Sequence, residues 1–120
     1  MEKLTKKEEE IMEFFWDKGP LFVKEILDLY PEPKPHFNTV STMVRILETK
    51  GYVNHKVYGN THQYFATVDK KEFGHIFLKD VINKFFGNSY KNAVSALVSD
   101  EEISPEDLKD LLNDIENDKN

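Results

Sequence analysis

Apolar and polar residues alternate at helical spacing in the first part of the chain. The pattern starts after a capping box formed by Thr5 and Glu8 and stops at a Gly-Pro pair, which predicts a helix over residues 6–18. A short apolar segment at 21–23 is compatible with a small strand. A brief second helix is predicted next, and Pro31 ends it.

The middle of the chain holds a second helical pattern followed directly by a hairpin pattern. Beyond a proline-rich linker, apolar residues fall at i, i+3, i+4 and i+7, with Asn38 as the expected N-cap and Gly51 placed to end the helix. Two β-rich runs, 52–58 and 61–65, then flank a Gly-Asn pair that is typical of a two-residue turn. Helix, turn, helix and hairpin in this order predict a winged helix-turn-helix.

From Asp69 onward the pattern is helical only. Three helices are expected, the second capped by Ser89 and the third opened by Ser104. The last helix carries an apolar stripe among acidic residues, and an isolated helix of about 12 to 15 residues is marginally stable in water. We therefore expect its stripe to be buried against a second copy of the chain. The residues expected at the dimer interface are Phe77, Val81, Phe85, Val94, Leu97, Leu108, Leu111, Leu112 and Ile115.

The fold class that follows is mainly α with a small β-hairpin. We expect a winged helix-turn-helix DNA-binding domain at 1–68 and a C-terminal helical dimerisation domain at 69–120. A chain of 120 residues with 39% hydrophobic content suits one small domain with an appended oligomerisation element.

Charge is unevenly distributed along the chain. The net charge is -6, but residues 33–68 contain four cationic side chains against Glu48 alone, which makes this segment +3. The flanking segments, 1–32 and 69–120, are -4 and -5. A phosphate responds to the local field, so an acidic protein can still bind nucleic acid through its basic segment.

The predicted second helix of the winged fold is the candidate for reading DNA. Such a helix enters the major groove with its N-terminal half at the base edges, and the hairpin lies along the backbone as a wing. Threonine methyl groups suit the thymine C5-methyl, and an arginine can contact a guanine or a phosphate. An ordinary amphipathic helix with a solvated polar face fits the same pattern. The candidate DNA-binding residues are Asn38, Thr39, Ser41, Thr42 and Arg45 on the helix and Lys56, Tyr58, Asn60 and Thr61 on the wing.

The sequence gives little support for metal binding, enzyme activity or membrane insertion. His55, Val57, His62 and Tyr64 are expected on one hairpin face, but the hairpin offers no carboxylate or thiolate partner, so neither a metal nor a cofactor is expected. No nucleophile motif, phosphate loop or dinucleotide fingerprint occurs, which argues against an enzyme. Cysteine is absent, the N-terminus is too acidic for a signal peptide, and no run is long enough to insert into a membrane. We expect a cytoplasmic protein.

Three stretches together resemble the penicillinase-repressor family of winged-helix transcriptional repressors (BlaI, MecI and CopY type). They are EEEIMEFFWDKGPLFVKEI, TVSTMVRILETKGYV and the region from FLKDVINKFFGNSYKNAVSALV to ISPEDLKDLL. The resemblance covers nearly the whole chain. It implies a homodimer bound to a dyad-symmetric DNA operator upstream of antibiotic-resistance or stress-response genes. By match to the recognition helix, it also implies that Thr39, Ser41, Thr42 and Arg45 face DNA.

The chain departs from the family pattern at two places. Where the family usually has arginine before leucine, this chain has Ile46, and Arg45 stands one position earlier. Antibiotic-responsive members are cleaved at an Asn-Phe bond under a membrane sensor and protease system, and the pair aligned with it here is Ala96-Leu97, which leaves the inducing signal open. Copper release is not expected without cysteine. The alternatives are a winged-helix protein-interaction module without DNA binding and a ligand- or metal-sensing regulator.

Overall fold

The structure, a computed structural model, describes residues 2–118, apart from the side chains of residues 115, 116 and 118. The chain divides into two compact units, Met1–Ile76 and Phe77–Asn120. The elements are, in chain order, α1 (Lys6–Lys18), β1 (Leu21–Phe22), α2 (Val23–Leu29), α3 (Phe37–Thr49), β2 (Val53–Tyr58), β3 (Thr61–Ala66), α4 (Lys70–Phe85), α5 (Tyr90–Ser99) and α6 (Pro105–Asp118). This confirms the mainly α fold with a winged helix.

Helix α1 has the bounds predicted for it. The Thr5 amide donates to Glu8 Oε1 at 2.7 Å and the Glu8 amide donates to Thr5 Oγ1 at 3.2 Å, so the expected capping box is formed. At the other end the Gly19 amide donates to the Phe15 carbonyl at 2.8 Å. Gly19 has a φ of 83°, which glycine adopts without steric cost and which turns the chain into β1.

The sheet has three antiparallel strands in the order β1-β3-β2. The hairpin pairs Tyr58 with Thr61 across its two-residue turn, and β1 adds to the far edge of β3 with Leu21 opposite Tyr64. The possible strand at 21–23 is therefore present. The core of the first unit is formed by Ile11, Met12, Phe15, Leu21, Val23, Ile26, Val40, Val44, Leu47, Tyr52, Val53, Tyr64 and Val68.

Asn38 is not the N-cap of α3, and this prediction was wrong. The N-cap is His36, whose carbonyl accepts from the amides of Thr39 and Val40 at 3.1 and 3.2 Å, although its side chain makes no capping hydrogen bond. Asn38 instead lies within the first turn and is exposed. The helix starts before Asn38 because the His36 carbonyl accepts its first hydrogen bonds, and the side-chain preference for a cap, which contributes only about 1 kcal/mol, does not decide the start.

The second unit contains the rest of α4, with α5 and α6. The Ser89 hydroxyl accepts from the Asn92 amide at 3.1 Å and the Ser104 hydroxyl accepts from the Asp107 amide at 3.0 Å, so both predicted N-caps are confirmed. Among the side chains of this unit that the structure describes, only Ile82 is buried.

Candidate nucleic-acid interface

Helix α3 presents a largely polar face because most of its apolar residues lie on the opposite side. Val40, Val44 and Leu47 are completely buried in the core of the first unit. At 100° per residue, Met43 lies at the edge of this buried side and packs against the core, whereas Thr39, Thr42 and Arg45 point away from it. The residues of the predicted reading face that are exposed on α3 are Asn38, Thr39, Thr42 and Arg45, whereas Ser41 is half-buried.

The end of α3 sets the position of the hairpin next to it. The Tyr52 amide donates to the Leu47 carbonyl at 2.9 Å and the Gly51 amide donates to the Glu48 carbonyl at 3.0 Å, which is a Schellman motif. Gly51 has a φ of 88°, in the left-handed region that this motif requires. Because β2 begins two residues later at Val53, the wing is fixed directly beside α3, the predicted recognition helix.

The four predicted wing residues are all exposed. Lys56 and Tyr58 lie on β2, and Asn60 and Thr61 lie at the turn and the start of β3. The Thr61 hydroxyl donates to the Tyr58 carbonyl at 2.9 Å and closes the turn. A phosphate backbone could approach this tip from solvent.

A groove separates the first turns of α2 and α3 from the wing. Its volume is about 270 Å³. It brings Ser41 of the recognition helix together with Asn60 and Thr61 of the wing, which are far apart in sequence. The residues that line it are Phe22, Val23, Lys24, Phe37, Ser41, Asn60, Thr61, His62 and Tyr64.

Two of the four cationic side chains in the basic segment bind other groups of the same chain. Lys50 pairs with Glu8 at 2.8 Å, and only 15% and 5% of these side chains are exposed. Lys34 donates to the carbonyls at the C-terminal end of α2, including that of Tyr30 at 2.7 Å. Arg45 and Lys56 make no ion pair with any residue that the structure describes. The field available to a phosphate is therefore weaker than the sequence count indicates.

Lys24 adds a cation that the sequence reading missed. It lies in the first turn of α2, is exposed, and lines the groove beside the wing. It belongs to the acidic segment 1–32, so charge counting along the chain gave no signal for it. Only the packing of α2 against α3 and β3 brings it to this side of the first unit.

A histidine pair lies between the wing and α3. His55 and His62 stack with ring centroids 4.2 Å apart, and His55 Nδ1 lies 2.5 Å from Glu48 Oε2. The carboxylate partner that the hairpin lacks thus comes from α3. Burial, and then the nearby Glu48 carboxylate, raise the pKa of Tyr64 on the same hairpin face. Within the described residues, no cluster of three or more ligating side chains could hold a metal ion.

The predicted dimer interface is largely uncovered in the single chain. Of its residues, Val81 and Leu108 are half-buried, and Ile115 has a side chain outside the described part of the structure. Leu78 and Tyr90 are further exposed apolar side chains that the sequence reading did not assign to this interface. The predicted interface residues that are exposed are Phe77, Phe85, Val94, Leu97, Leu111 and Leu112.

None of the described helices combines the length and apolar character needed to cross a membrane.

Known proteins similar to this chain are named as a regulatory protein and a repressor. The sequence profile described as penicillinase repressor matches residues 4–117. The methicillin resistance regulatory protein MecI of Staphylococcus aureus (strain N315) is 23% identical over 112 residues, which cover 92% of this chain and 91% of that protein. The penicillinase repressor of Bacillus licheniformis is 22% identical over 119 residues, which cover 98% of this chain and 93% of that protein. The profile spans nearly the whole chain, and the chain therefore belongs to the penicillinase repressor family.

Proposed function

We propose that this protein is a homodimeric transcriptional repressor that binds a dyad-symmetric DNA operator through α3 and its wing. Family membership supports a repressor role and agrees with the prediction that the protein is not an enzyme. The observation that carries the proposal is the exposed polar face of α3, held beside an exposed hairpin tip by the Schellman motif.

In this proposal α3 enters the major groove. Thr39 and Thr42 approach the base edges, and Arg45 contacts a guanine or a phosphate. Its guanidinium is weakly held in the free protein, since Nε donates only to the Ser41 carbonyl at 3.4 Å. Lys56 and Asn60 on the wing then lie along the adjacent backbone.

Dimerisation supplies DNA affinity that the polar face of a single α3 lacks. One chain offers few unpaired cations on α3 and the wing, so a single first unit is expected to bind DNA weakly. Two units joined through their C-terminal helices bind the second half-site at a raised effective concentration, which increases affinity by about 10²- to 10⁴-fold. The exposed apolar side chains of α4, α5 and α6 support a second copy of the chain as the partner. The regulated genes that we propose concern antibiotic resistance or a stress response.

Salt dependence of DNA binding tests the proposal. If Arg45 and Lys56 of both chains each displace a counterion, raising salt from 50 to 200 mM lowers affinity for a selected duplex by roughly 100-fold. Fluorescence anisotropy with the full-length protein measures this directly. DNA binding that is absent, or that does not depend on salt, would reject the proposal.

A protein-interaction module is the second candidate, and the internal use of Lys34 and Lys50 favours it. With these two cations engaged, the first unit offers fewer charges to a polyanion than its sequence contains. Such a module would bind no duplex in a salt-dependent manner, so the same titration separates the two functions.

A membrane sensor and protease system is a further proposed partner. The Ala96-Leu97 bond lies inside α5, with Ala96 half-buried and Leu97 exposed. Cleavage there requires α5 to open locally, since a hydrogen-bonded helix holds its backbone away from a protease. Incubating the dimer with a non-specific protease and sequencing the fragments measures how readily this bond becomes accessible.

A further inference from the structure

Ile46 is an isoleucine on the outer face of the recognition helix. It is 41% exposed, whereas Val44 and Leu47, close to it in sequence, are completely buried. The packing of the first unit therefore gives no reason for a large aliphatic side chain at this position. Single exposed apolar residues are common on protein surfaces, so the exposure of Ile46 acquires meaning only from its surroundings.

Ile46 continues a line of methyl groups along α3. Thr39, Thr42 and Ile46 are separated by three and four residues, so they are neighbours on one side of the helix. All three are exposed, and each carries a methyl group on a branched Cβ. We call these three residues the methyl stripe.

Two polar groups of α3, Ser41 and Glu48, lie on the side of the wing, whereas the exposed Asn38 and Arg45 flank the methyl stripe. Ser41 lines the groove beside the wing, and the Glu48 carboxylate contacts His55 of β2. A free carboxylate could accept a hydrogen bond from the cytosine amino group, but this one is already engaged. The methyl stripe is thus turned away from Ser41 and Glu48, and it offers apolar contact from its methyl groups, with only the Thr39 and Thr42 hydroxyls beside them.

We propose that the methyl stripe contacts the C5-methyl groups of thymines in the major groove, and that Ile46 is a specificity-determining residue of the operator. This inference rests on the proposed function. The thymine methyl is the one apolar group on the major-groove edge of the four base pairs. Contact with Ile46 removes this methyl from water, whereas a cytosine at the same position leaves its amino group desolvated without a partner.

The test removes single methyl groups from DNA. The full-length protein first selects its preferred duplexes from random DNA, and each thymine is then replaced in turn by deoxyuridine, which lacks only the methyl and keeps the base pair. We expect at least one position in each half-site where deoxyuridine weakens binding about four-fold, the effect of one buried methyl group. With Ile46→Ala, at least one such position in each half-site should lose its sensitivity, because the group that contacts that methyl is gone, whereas positions contacted by Thr39 or Thr42 should stay sensitive.

Val57→Ala is the matched control. Val57 is an exposed, branched aliphatic residue on the wing and not in the methyl stripe. This variant should retain the full sensitivity to deoxyuridine, whatever its absolute affinity. Circular dichroism of each variant verifies folding, which is expected to be unchanged since both side chains are exposed.

The outcomes distinguish the inference from the proposed function. Salt-dependent binding with no loss at any deoxyuridine position would overturn the inference and leave the repressor proposal in place. Deoxyuridine effects of equal size at every position in wild type and Ile46→Ala would overturn the role of Ile46. If the protein selects no duplex at all, both the inference and the proposed function are rejected.

Discussion

The two units of this protein differ in how far their apolar side chains are buried. In the first unit, apolar side chains from three helices and the sheet fill one core, and residues such as Ile11, Ile26 and Val44 are completely inaccessible to solvent. In the second unit, Ile82 is the only buried side chain in the described part, and Phe85 remains 75% exposed. The first unit has a self-contained core, whereas the second does not.

Under the proposed function, this difference assigns DNA recognition to the first unit and dimerisation to the second. A unit with a filled core can hold a reading face rigid without help from another molecule, because its side chains are already fixed by packing. A unit with uncovered apolar residues gains most of its stability when a partner covers them, since burial contributes roughly 25 cal/mol per Å² of apolar surface. A substitution in one unit should therefore change the property assigned to that unit, either dimer assembly or the stability and DNA affinity of the first unit.

The largest effect is expected from Leu111→Asp in the second unit. A charge within an apolar interface is strongly unfavourable, so we expect monomers in sedimentation velocity. A monomer binds only one half-site at a time, so operator affinity should fall by about 10²- to 10⁴-fold. Asn113→Asp, which adds the same charge to an exposed position on α6, is the control and should remain dimeric. An unchanged dimer in Leu111→Asp would refute the assignment of this stripe to the interface.

Lys50→Ala should destabilise the first unit and leave assembly intact. It leaves the Glu8 carboxylate buried without its cation, which costs about 3 kcal/mol of unfolding free energy. Lys70→Ala is the matched control: its pair with Glu13 spans 3.2 Å but is exposed, so its removal should cost under about 0.5 kcal/mol. Chemical denaturation of both variants gives the comparison, and equal losses would show that burial of the Glu8 pair contributes nothing.

Arg45→Ala should affect function without affecting either core. We expect a loss of about 1 to 3 kcal/mol in operator affinity if the guanidinium contacts a base. Arg45→Lys keeps the charge but not the two-pronged geometry, so it should restore phosphate contact and not base recognition. Titration of operator and unrelated duplexes distinguishes these roles, and unchanged affinity for both would exclude Arg45 from the interface.

The smallest expected effect is a pH dependence in the first unit. Burial alone would raise the pKa of Glu8, but hydrogen bonds from Lys50 and Thr5 outweigh it and lower the pKa below its ordinary value of 4.5. A carboxyl whose folded pKa is lowered contributes stability above its unfolded pKa, and this stability is lost as pH falls through the folded pKa. The difference in Tm between wild type and Glu8→Gln should therefore shrink below pH 4.5. A difference that stays constant with pH would contradict this.

Local patterns in the sequence predicted the elements of the fold well. The capping box at Thr5, the turn at Gly59 and the caps at Ser89 and Ser104 depend on residues within a few positions of one another. Such short-range interactions can be read directly from spacing. The exception is Asn38: the His36 carbonyl accepts the first hydrogen bonds of α3, so the helix starts before Asn38 despite the local preference of asparagine for a cap.

Contacts between distant residues could not be predicted in the same way. Lys50 contributes to the charge of the basic segment in the sequence, but it pairs with Glu8, which lies 42 positions earlier in the chain. Glu48 reaches His55 and Lys24 reaches the groove only after the helices and the sheet have packed. For the candidate interface, most of the residues predicted from the sequence are exposed, although Ser41 is half-buried and Lys24 was missed. Which cations are free to meet a phosphate could be established only from the structure.

Selection of duplexes from random DNA by the full-length protein tests the central claim most directly. If two copies of α3 are presented together by the dimer, the selected sequences should share a two-fold symmetric consensus. The centres of its half-sites should lie about 10 to 10.5 base pairs apart, or a multiple of that distance. No enrichment, or a consensus with one unrepeated site, would contradict the account.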